Sequence, residues 1–202
     1  MLWRTPSRIR RYPAGFIRPA QPILAAKPPS GPGWTHEVKH DGFRVLVLKQ
    51  GEQVRVWSRR GADFTERFSR IAEAVRALPA EQALIDGEAL VLRPDGLSDF
   101  AALRTKAGGA EASYVAFDLL TLAGKDIRLQ PIEDRRAELE RIVTGRAAIL
   151  FSEPIAADGE LVFAKACALG LEGIVSKRAR GLYRSGPSPS WRKIKNPAFA
   201  RT

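Results

Sequence analysis

Short strand patterns separated by tight turns constrain the fold of this chain more than any other feature. The runs FRVLVLK and QVRVWS, joined at Gln50-Gly51, predict a β-hairpin. ALIDGEALVL offers two further short strands, SYVAFDLLTL a longer one before an Ala-Gly turn, and AILFS, GIVSKR and WRKIK complete the set. Several hairpins with scattered helices between them indicate antiparallel sheets flanked by helices, an α+β architecture.

Four segments between the strands show helix signals. In residues 65–78, four apolar residues share one face of a predicted helix: Phe68, Ile71, Val75 and Leu78. SDFAALR follows a Ser N-cap, PIEDRRAELERIVTG has Pro first and Gly last, and DGELVFAKACALG begins at Asp158 and stops at Gly170. Cys167, in the last of these, is predicted to fill the core. The Pro- and Gly-rich residues 19–33 predict an extended lead-in.

Composition bounds the class of protein. A chain of 202 residues with 45% apolar and 27% charged residues is typical of one substantial soluble domain. No apolar run approaches the roughly 20 residues that span a bilayer, and no apolar segment follows the N-terminal arginines as a secretory signal requires. Because neither a membrane-spanning run nor a secretory signal is found, we expect no membrane partner. The single cysteine rules out an internal disulfide and fits a reducing compartment.

The net charge of +11 is concentrated at the two ends of the chain. No acid precedes Glu37 or follows Glu172, whereas residues 37–172 hold nineteen Lys and Arg against twenty-two Asp and Glu, a net charge of −3. Cationic ends around a nearly neutral body favour a polyanionic partner over a merely basic soluble protein. We assign residues 1–17 to a basic N-terminal segment and residues 18–202 to the domain. The fourteen terminal cations are Arg4, Arg8, Arg10, Arg11, Arg18, Lys27, Lys177, Arg178, Arg180, Arg184, Arg192, Lys193, Lys195 and Arg201.

Five fragments place charge where a strand ends or passes: VKHDGFR, SRRG, DGE, EGIVSK and WRKIK. Each alone is a weak signal, but in this order they resemble the nucleotidyltransferase motifs of ATP-dependent DNA ligases, with AFDLL as a sixth. The lead-in PPSGPGWTHEVKHDGFR is most similar to the ligase domain of bacterial end-joining ligases. The resemblance runs from Phe16 to Lys195. It implies a nucleotidyltransferase fold of the ATP-grasp-like kind and a bacterial, cytoplasmic, nucleoid-associated protein.

The resemblance makes Lys39 the nucleophile that attacks the α-phosphate of ATP, expels pyrophosphate and holds AMP through a phosphoramidate bond. An amine with a pKa near 10.4 is only about one part in a thousand neutral near pH 7.4, and a protonated amine cannot attack. Lys193 and Lys195 lie two apart on one strand, so they project to one face. They are predicted to cradle the α-phosphate and to disfavour charge on Lys39. Asp41-Gly42 supplies a tight turn beside the lysine.

Two isolated acids, Glu88 and Glu172, are candidate metal ligands. ATP requires a divalent cation, Mg²⁺ or Mn²⁺, and Mg²⁺ takes a few oxygen ligands while retaining water. By resemblance, Glu88 contacts the ribose or the metal, and Glu172 helps to hold the metal. Turn or strand-edge acids are the alternative interpretation of both.

Base and phosphate recognition falls to an aromatic residue, an acid and several arginines. Phe117 matches the family residue that stacks on adenine, although a core phenylalanine is the alternative. Glu37, two residues before the nucleophile on the same strand, matches a position that accepts from the adenine amino group. Arg44 and Arg59 match arginines that contact the nucleotide and the 5′-phosphate of a nick, for which a planar guanidinium is suited. Arg60 is predicted to lie on a solvated face or to contact the DNA backbone.

The remaining aromatic and histidine candidates receive no chemical role. His36 and His40 flank the nucleophile, but the family pattern does not require a histidine there. Trp34, Trp57 and Trp191 lie on strand patterns and are predicted to belong to the core.

The chain departs from most ligases of the family in one respect. Those proteins follow this domain with an OB-fold, and the residues after Lys195 leave no room for one. The sequence therefore supports adenylyl transfer to Lys39 more firmly than complete nick sealing. The basic ends as a DNA clamp, a separate OB-fold or end-joining protein, and a truncated sequence all stay open.

Three further classes compete with a minimal, monomeric ligase that seals nicked or broken double-stranded DNA in repair. An RNA ligase or a guanylyl-transferring capping enzyme would use the same lysine, and nucleotide choice distinguishes them. A non-catalytic DNA-end binding module would keep the fold, but no catalytic position is degraded here. A Schiff-base lysine enzyme needs neither the paired lysines nor the arginine set.

Overall fold

The computed structural model describes residues 12–200, which contain ten strands and five helices. Residues 1–11 of the predicted basic N-terminal segment, and Arg201, lie outside the described residues. The strands are β1 (Ala20–Leu24), β2 (Trp34–Val38), β3 (Phe43–Gln50), β4 (Gln53–Ser58), β5 (Gln82–Leu90), β6 (Ser113–Leu122), β7 (Lys125–Asp126), β8 (Ile149–Phe151), β9 (Gly173–Arg178) and β10 (Gly186–Lys195). The helices are α1 (Ser69–Arg76), α2 (Phe100–Arg104), α3 (Lys106–Ala110), α4 (Ile132–Val143) and α5 (Gly159–Ala168).

These strands form two sheets. The smaller one has the order β1-β10-β9-β2, and the larger one has the order β4-β3-β5-β6-β7 with β8 beside β6. The predicted β3–β4 hairpin is confirmed, with Gly51 at φ +57° in its turn. Most pairs are antiparallel as predicted, but β1 pairs with β10 and β8 with β6 in parallel. The lead-in thus contributes a strand, β1, that the sequence analysis did not predict.

The prediction of two short strands in ALIDGEALVL is wrong, because β5 runs unbroken through Asp86-Gly87. Asp86-Gly87 does not form a turn, and the glycine serves another purpose. A side-chain carbon on Gly87 would lie 2.4 Å from the Tyr114 ring and 2.5 Å from the Val115 carbonyl oxygen. Glycine therefore allows the close approach of β6 at a register shift.

The helices follow the predicted apolar spacing with small corrections. Phe68, Ile71, Val75 and Leu78 are all buried in the core between the larger sheet and its helices. The N-cap of α2 is Asp99 and not the predicted serine, because the Asp99 carboxylate accepts from the Ala102 N–H at 2.7 Å. The short α3 was not predicted. Cys167 is half-buried and lines a cavity, so it is not the core filler expected.

A second apolar cluster joins the two sheets. Trp191 of β10 and Tyr183 pack with Trp57, Leu46 and residues of β5 and β6. Trp57 and Trp191 are buried, as predicted, whereas Trp34 is half-buried. The cluster fixes the smaller sheet against the larger one and closes the base of a cleft between them. No helix within residues 12–200 is long and apolar enough to cross a membrane.

Candidate active site

A cavity of about 220 Å³ lies between the two sheets. Its walls come from seven strands of the two sheets, β1, β2, β3, β5, β6, β9 and β10, which span most of the chain. Seven of the predicted site residues line it: Glu37, Lys39, Arg44, Arg59, Glu88, Phe117 and Lys193. The structure thus brings most of the predicted set to one place.

Lys39 directly follows β2 and is held there by the neighbouring strand. Its backbone N–H donates to the Gly173 carbonyl at 2.9 Å. Its Nζ donates to Glu172 Oε2 at 2.5 Å, and the Glu172 side chain is almost fully buried. This ion pair engages the amine that lines the cavity, so the pair has to open before the amine can attack.

The Glu172 carboxylate is itself fixed by its backbone. Gly173, at φ +139°, lies where a side-chain carbon would be 2.0 Å from the Ile194 carbonyl oxygen. Asn196 donates its backbone N–H to the Glu172 carbonyl and its side-chain amide to the Leu171 carbonyl, at 2.9 and 3.0 Å. The segment that carries Glu172 is therefore clamped between Lys39 and the end of β10.

Lys193 and Lys195, which are two residues apart on β10, differ in their exposure. Lys193 lines the cavity, and its pKa is lowered by burial and by the charges of Lys39, Lys195 and Arg59. Lys195 is mostly exposed, with its Nζ 3.9 Å from Glu172 Oε1. Several cations thus converge on one end of the cavity, where they would stabilise phosphate oxygens.

Glu88 faces this cationic end from β5, where it pairs in register with Arg44. Burial raises the pKa of its carboxyl to about 7, since Asp86 and Glu172 add negative charge and Lys39 and Arg44 offset only part of the effect. A carboxylic acid with this pKa is close to half-protonated at neutral pH. A bound cation would complete its ionisation.

We expect Glu88→Gln to remove part of the pH dependence of stability. The pKa of Glu88 rises on folding from an ordinary 4.5 to about 7, so its protonated form stabilises the fold below pH 4.5 and this contribution is lost as the pH rises through 7. The variant should therefore melt higher than wild type at pH 8, by roughly 10 °C, and equally at pH 4. Thermal melts monitored by circular dichroism measure the difference. If Glu88→Gln and wild type melt at the same temperature at pH 8 as well as at pH 4, the raised pKa of Glu88 is contradicted.

The two predicted metal ligands fit a site that protein and substrate phosphates form together better than a site formed by the protein alone. Within residues 12–200, no three His, Cys, Asp or Glu side chains form a group that could hold a metal ion. Glu88 and Glu172 both lie close enough to Lys39 to interact with its charge. Two carboxylates suit Mg²⁺ when substrate phosphates and water supply the other ligands.

Arg44 is bound more tightly to the protein than the sequence suggested. Its Nε and Nη2 donate to the two oxygens of Asp86 at 2.9 and 2.6 Å, and Tyr183 donates its hydroxyl to Asp86 at 2.5 Å. Burial would lower the pKa of Arg44, but the Asp86 carboxylate outweighs it and raises the pKa. The guanidinium carbon lies 5.0 Å from the Phe117 ring centre and 5.6 Å from that of Trp191. Arg44 thus forms a fixed floor of the cavity.

The opposite end of the cavity combines aromatic rings with a buried carboxylate. Phe117 and Trp191 lie edge to face, 6.1 Å apart, and the Lys177 amine sits 4.6 and 4.4 Å from their centres. Lys177 donates to Glu37 Oε1 at 2.8 Å and Oε2 at 2.9 Å, and Ser152 donates its hydroxyl to Oε2 at 2.9 Å. This end offers an apolar slot with a hydrogen-bond acceptor and donor side by side.

Lys177 is a buried residue of the site, whereas the charge analysis counted it among the cations of the basic C-terminal end. It is 2% exposed, and burial lowers its pKa to about 8 despite the nearby Glu37. The signal that could have identified it is its place in EGIVSK, on the strand that follows Glu172. Asp86, Ser152 and Trp191 were likewise missed as parts of the site.

The remaining candidates lie at the rim or outside the cavity. Arg59 is exposed but lines the rim, and its backbone N–H donates to the Arg44 carbonyl at 3.0 Å. Arg60 is exposed and does not line the cavity. His36 is buried, with Nδ1 2.8 Å from the Ser176 hydroxyl, and burial lowers its pKa although the charge of Asp158 opposes the shift. Burial together with the Lys39 charge lowers the pKa of His40 to about 4, so His40 is neutral near pH 7.

Comparison with known proteins gives a consistent set of relatives. A family model for the ATP dependent DNA ligase domain matches residues 21–195. The multifunctional non-homologous end joining protein LigD of Pseudomonas aeruginosa is 38% identical over 89% of this chain and 22% of its own length. A probable DNA ligase of Sorangium cellulosum is 33% identical over 93% of this chain and 39% of its own length.

Solved structures are similar over the same range. A mycobacterial DNA ligase D complexed with ATP and MES has a TM-score of 0.74 at 28% identity, over 88% of this chain and 59% of that one. The ligase domain of LigD from M. tuberculosis has a TM-score of 0.73 at 30% identity, with the same coverage. The chain spans less than half the length of the two curated relatives described above.

Proposed function

This chain belongs to the family of ATP-dependent DNA ligase domains, and we propose that it forms a covalent lysyl-AMP adduct at Lys39 and passes the AMP to the 5′-phosphate of a DNA break. The predicted family and the predicted α+β nucleotidyltransferase fold are both confirmed. One observation carries the proposed chemistry. Lys39 lines the same cavity as Phe117, Lys193 and Glu88, and its amine pairs with the Glu172 carboxylate.

The first step is attack of Lys39 Nζ on the α-phosphorus of ATP. The N–P bond forms as the bond between the α-phosphorus and the bridging oxygen breaks, and pyrophosphate leaves. The ammonium proton has to leave before attack, and the Glu172 carboxylate at 2.5 Å is its nearest acceptor. Lys193 faces the same point and would stabilise the negative charge that develops on the phosphate.

Glu88 and Glu172 are the residues that would hold Mg²⁺ or Mn²⁺ beside the phosphates. The metal would neutralise phosphate charge when bound. The raised pKa of Glu88 supports this assignment, because a buried carboxyl without enough cationic partners gains most from a cation.

The aromatic end of the cavity supports adenine as the base. Phe117 offers a ring for stacking, Glu37 accepts hydrogen bonds, and Lys177 donates beside it. Glu37 would accept from the adenine amino group while Lys177 donates to the neighbouring ring nitrogen. The same acceptor and donor would also fit the carbonyl and N–H of guanine, so it is the match to the ATP dependent DNA ligase domain that favours adenine.

Transfer to DNA would follow at the rim. Arg59 and Lys193 border the cavity, and Arg60 extends the basic surface beyond it. Guanidinium groups at the rim suit the 5′-phosphate of a nick or break. The end-joining names of several relatives support double-stranded DNA as the substrate. A separate OB-fold or end-joining partner, the monomeric state, the domain boundary at residue 18 and the nucleoid location stay predictions.

Incubation with α-labelled ATP and Mg²⁺, followed by denaturing electrophoresis, tests the proposal. We expect a labelled protein band that requires the metal, survives alkali and is lost in acid. Nicked duplex added next should remove the label and yield sealed strand, less efficiently at about 200 mM than at 50 mM salt, because phosphate contacts release counterions. A band with GTP in place of ATP would favour a capping enzyme. The absence of any band would refute the adduct.

A further inference from the structure

Behind the base end of the cavity lies an arginine that no motif contains. Arg136 comes from α4 and reaches three separate wall segments. Its Nη1 donates to Glu37 Oε1 at 2.7 Å and to the Phe117 carbonyl at 2.8 Å, and its Nη2 donates to the Ser152 carbonyl. One rigid guanidinium thus joins β2, which the nucleophile directly follows, to β6 and to the end of β8.

A bound base could reach two of the groups that donate to Glu37, but not the third. Lys177 and Ser152 line the cavity, so the base can approach them directly. Arg136 does not line the cavity and is buried, so its bond to Glu37 stays in place when a base enters. Glu37 accepts from Arg136 and Lys177 at Oε1 and from Ser152 and Lys177 at Oε2, so a base amino group has to take the place of Lys177 or Ser152 at one of these oxygens. Arg136 is the fixed member of this set.

Stability alone is a poor explanation for such a group. A buried ion pair often contributes little net stability, because desolvation offsets the Coulomb attraction. Arg136 also keeps a buried Nε for which the described residues offer no hydrogen-bond partner. An apolar residue at position 136 would pack against the core without the desolvation of an ion pair and without an unpartnered Nε. A more precisely placed Glu37 carboxylate would offset both costs.

We propose that Arg136 is a positioning residue that fixes the Glu37 carboxylate toward the base and thereby sets the preference for a 6-aminopurine nucleotide. The inference rests on the proposed function, since it concerns the base of the ATP used for adenylylation. A free carboxylate samples several rotamers, whereas Glu37 accepts a charged hydrogen bond from a guanidinium that is itself anchored to the Phe117 and Ser152 carbonyls. Loss of this anchored bond would let Glu37 turn toward Lys177 and weaken its bond to the amino group.

The test compares ATP with purine riboside 5′-triphosphate, which lacks only the 6-amino group. One hydrogen bond to a charged group predicts that wild type prefers ATP by about 10- to 100-fold in the second-order rate of adduct formation. In Arg136→Lys the preference should fall to about threefold or less, because one ammonium cannot span the three acceptors. The saturating rate constant should change little, since Arg136 touches no reacting atom.

Arg141→Lys is the matched control, because Arg141 lies on the same helix, is exposed and pairs only with Glu138 among the described residues. Ser152→Ala is a milder second variant that removes one donor to Glu37 without breaking an ion pair, and it should lose part of the preference. It keeps the proposal testable if Arg136→Lys does not fold. In a Glu37→Gln background, Arg136→Lys should leave the preference unchanged.

Each result has one meaning. A collapsed preference in Arg136→Lys and a reduced one in Ser152→Ala support the proposal. Equal slowing with both nucleotides overturns it and makes Arg136 a structural residue. A wild type that labels equally well with both nucleotides also overturns it, by removing the base contact of Glu37, while the labelled band leaves the adduct chemistry intact. Only the absence of a band would count against the proposed function itself.

Discussion

Replacement of Lys39 by methionine is expected to abolish the labelled AMP adduct. Methionine keeps the unbranched stem but offers no amine, so no N–P bond can form. The other two lysines of the cavity should not substitute, because Lys177 is bound to Glu37 and Lys193 faces the phosphate from another strand. Labelling should fall below detection, a loss of at least about 10⁴-fold from removal of a covalent nucleophile.

Lys165→Met is the matched control, since Lys165 lies exposed on α5 and outside the cavity. It should label like wild type. Lys39→Met also leaves the buried Glu172 carboxylate with the weaker interactions of Lys193 and Lys195, so its melting temperature should be measured alongside. A folded Lys39→Met protein that still labels would place the nucleophile elsewhere.

The sequence predicted the fold best where a local pattern and the tertiary structure agree. The β3–β4 hairpin and helices α1, α4 and α5 follow from alternation, caps and apolar spacing, and all of them are confirmed. The β1 strand could not be predicted in this way. It is short, Pro-containing and stabilised by pairing with β10, more than 160 residues further along the chain.

The site residues divide along the same line. Motif spacing identified the residues that line the cavity, such as Lys39, Glu88 and Phe117, because strand ends bring them to one cleft. The residues that hold them were missed, since their partners are remote in sequence. Arg136 did carry a signal: it lies four residues after Ile132 and three before Leu139, at a core phase of α4. A charged residue at such a phase needs a buried partner, but the pattern cannot say which one.

Removal of the Asp86 carboxylate is expected to have the largest effect on stability. Asp86 is fully buried and holds both ends of the Arg44 fork as well as the Tyr183 hydroxyl. Asp86→Ala leaves a nearly buried guanidinium without its counter-ion, which costs about 3–5 kcal/mol. In a domain of this size the loss corresponds to roughly 10 °C in melting temperature. Urea denaturation and thermal melts measure it.

Asp95→Ala provides the matched control, because Arg93 and Asp95 form the same two-bond geometry at the surface. Exposure to solvent should hold its cost below about 1 kcal/mol. An equal loss in both variants would show that burial adds nothing to the Arg44–Asp86 pair.

A double variant separates the stability of this pair from its place in the site. In Asp86→Ala combined with Arg44→Met, no buried charge is left unpaired, so most of the lost stability should return. Adduct formation should stay low, since Arg44 forms the cavity floor beside Phe117 and Trp191 and methionine restores neither its charge nor its shape. If labelling recovers together with stability, the pair serves only the fold. If stability returns without labelling, Asp86 acts on the chemistry through the arginine that it holds.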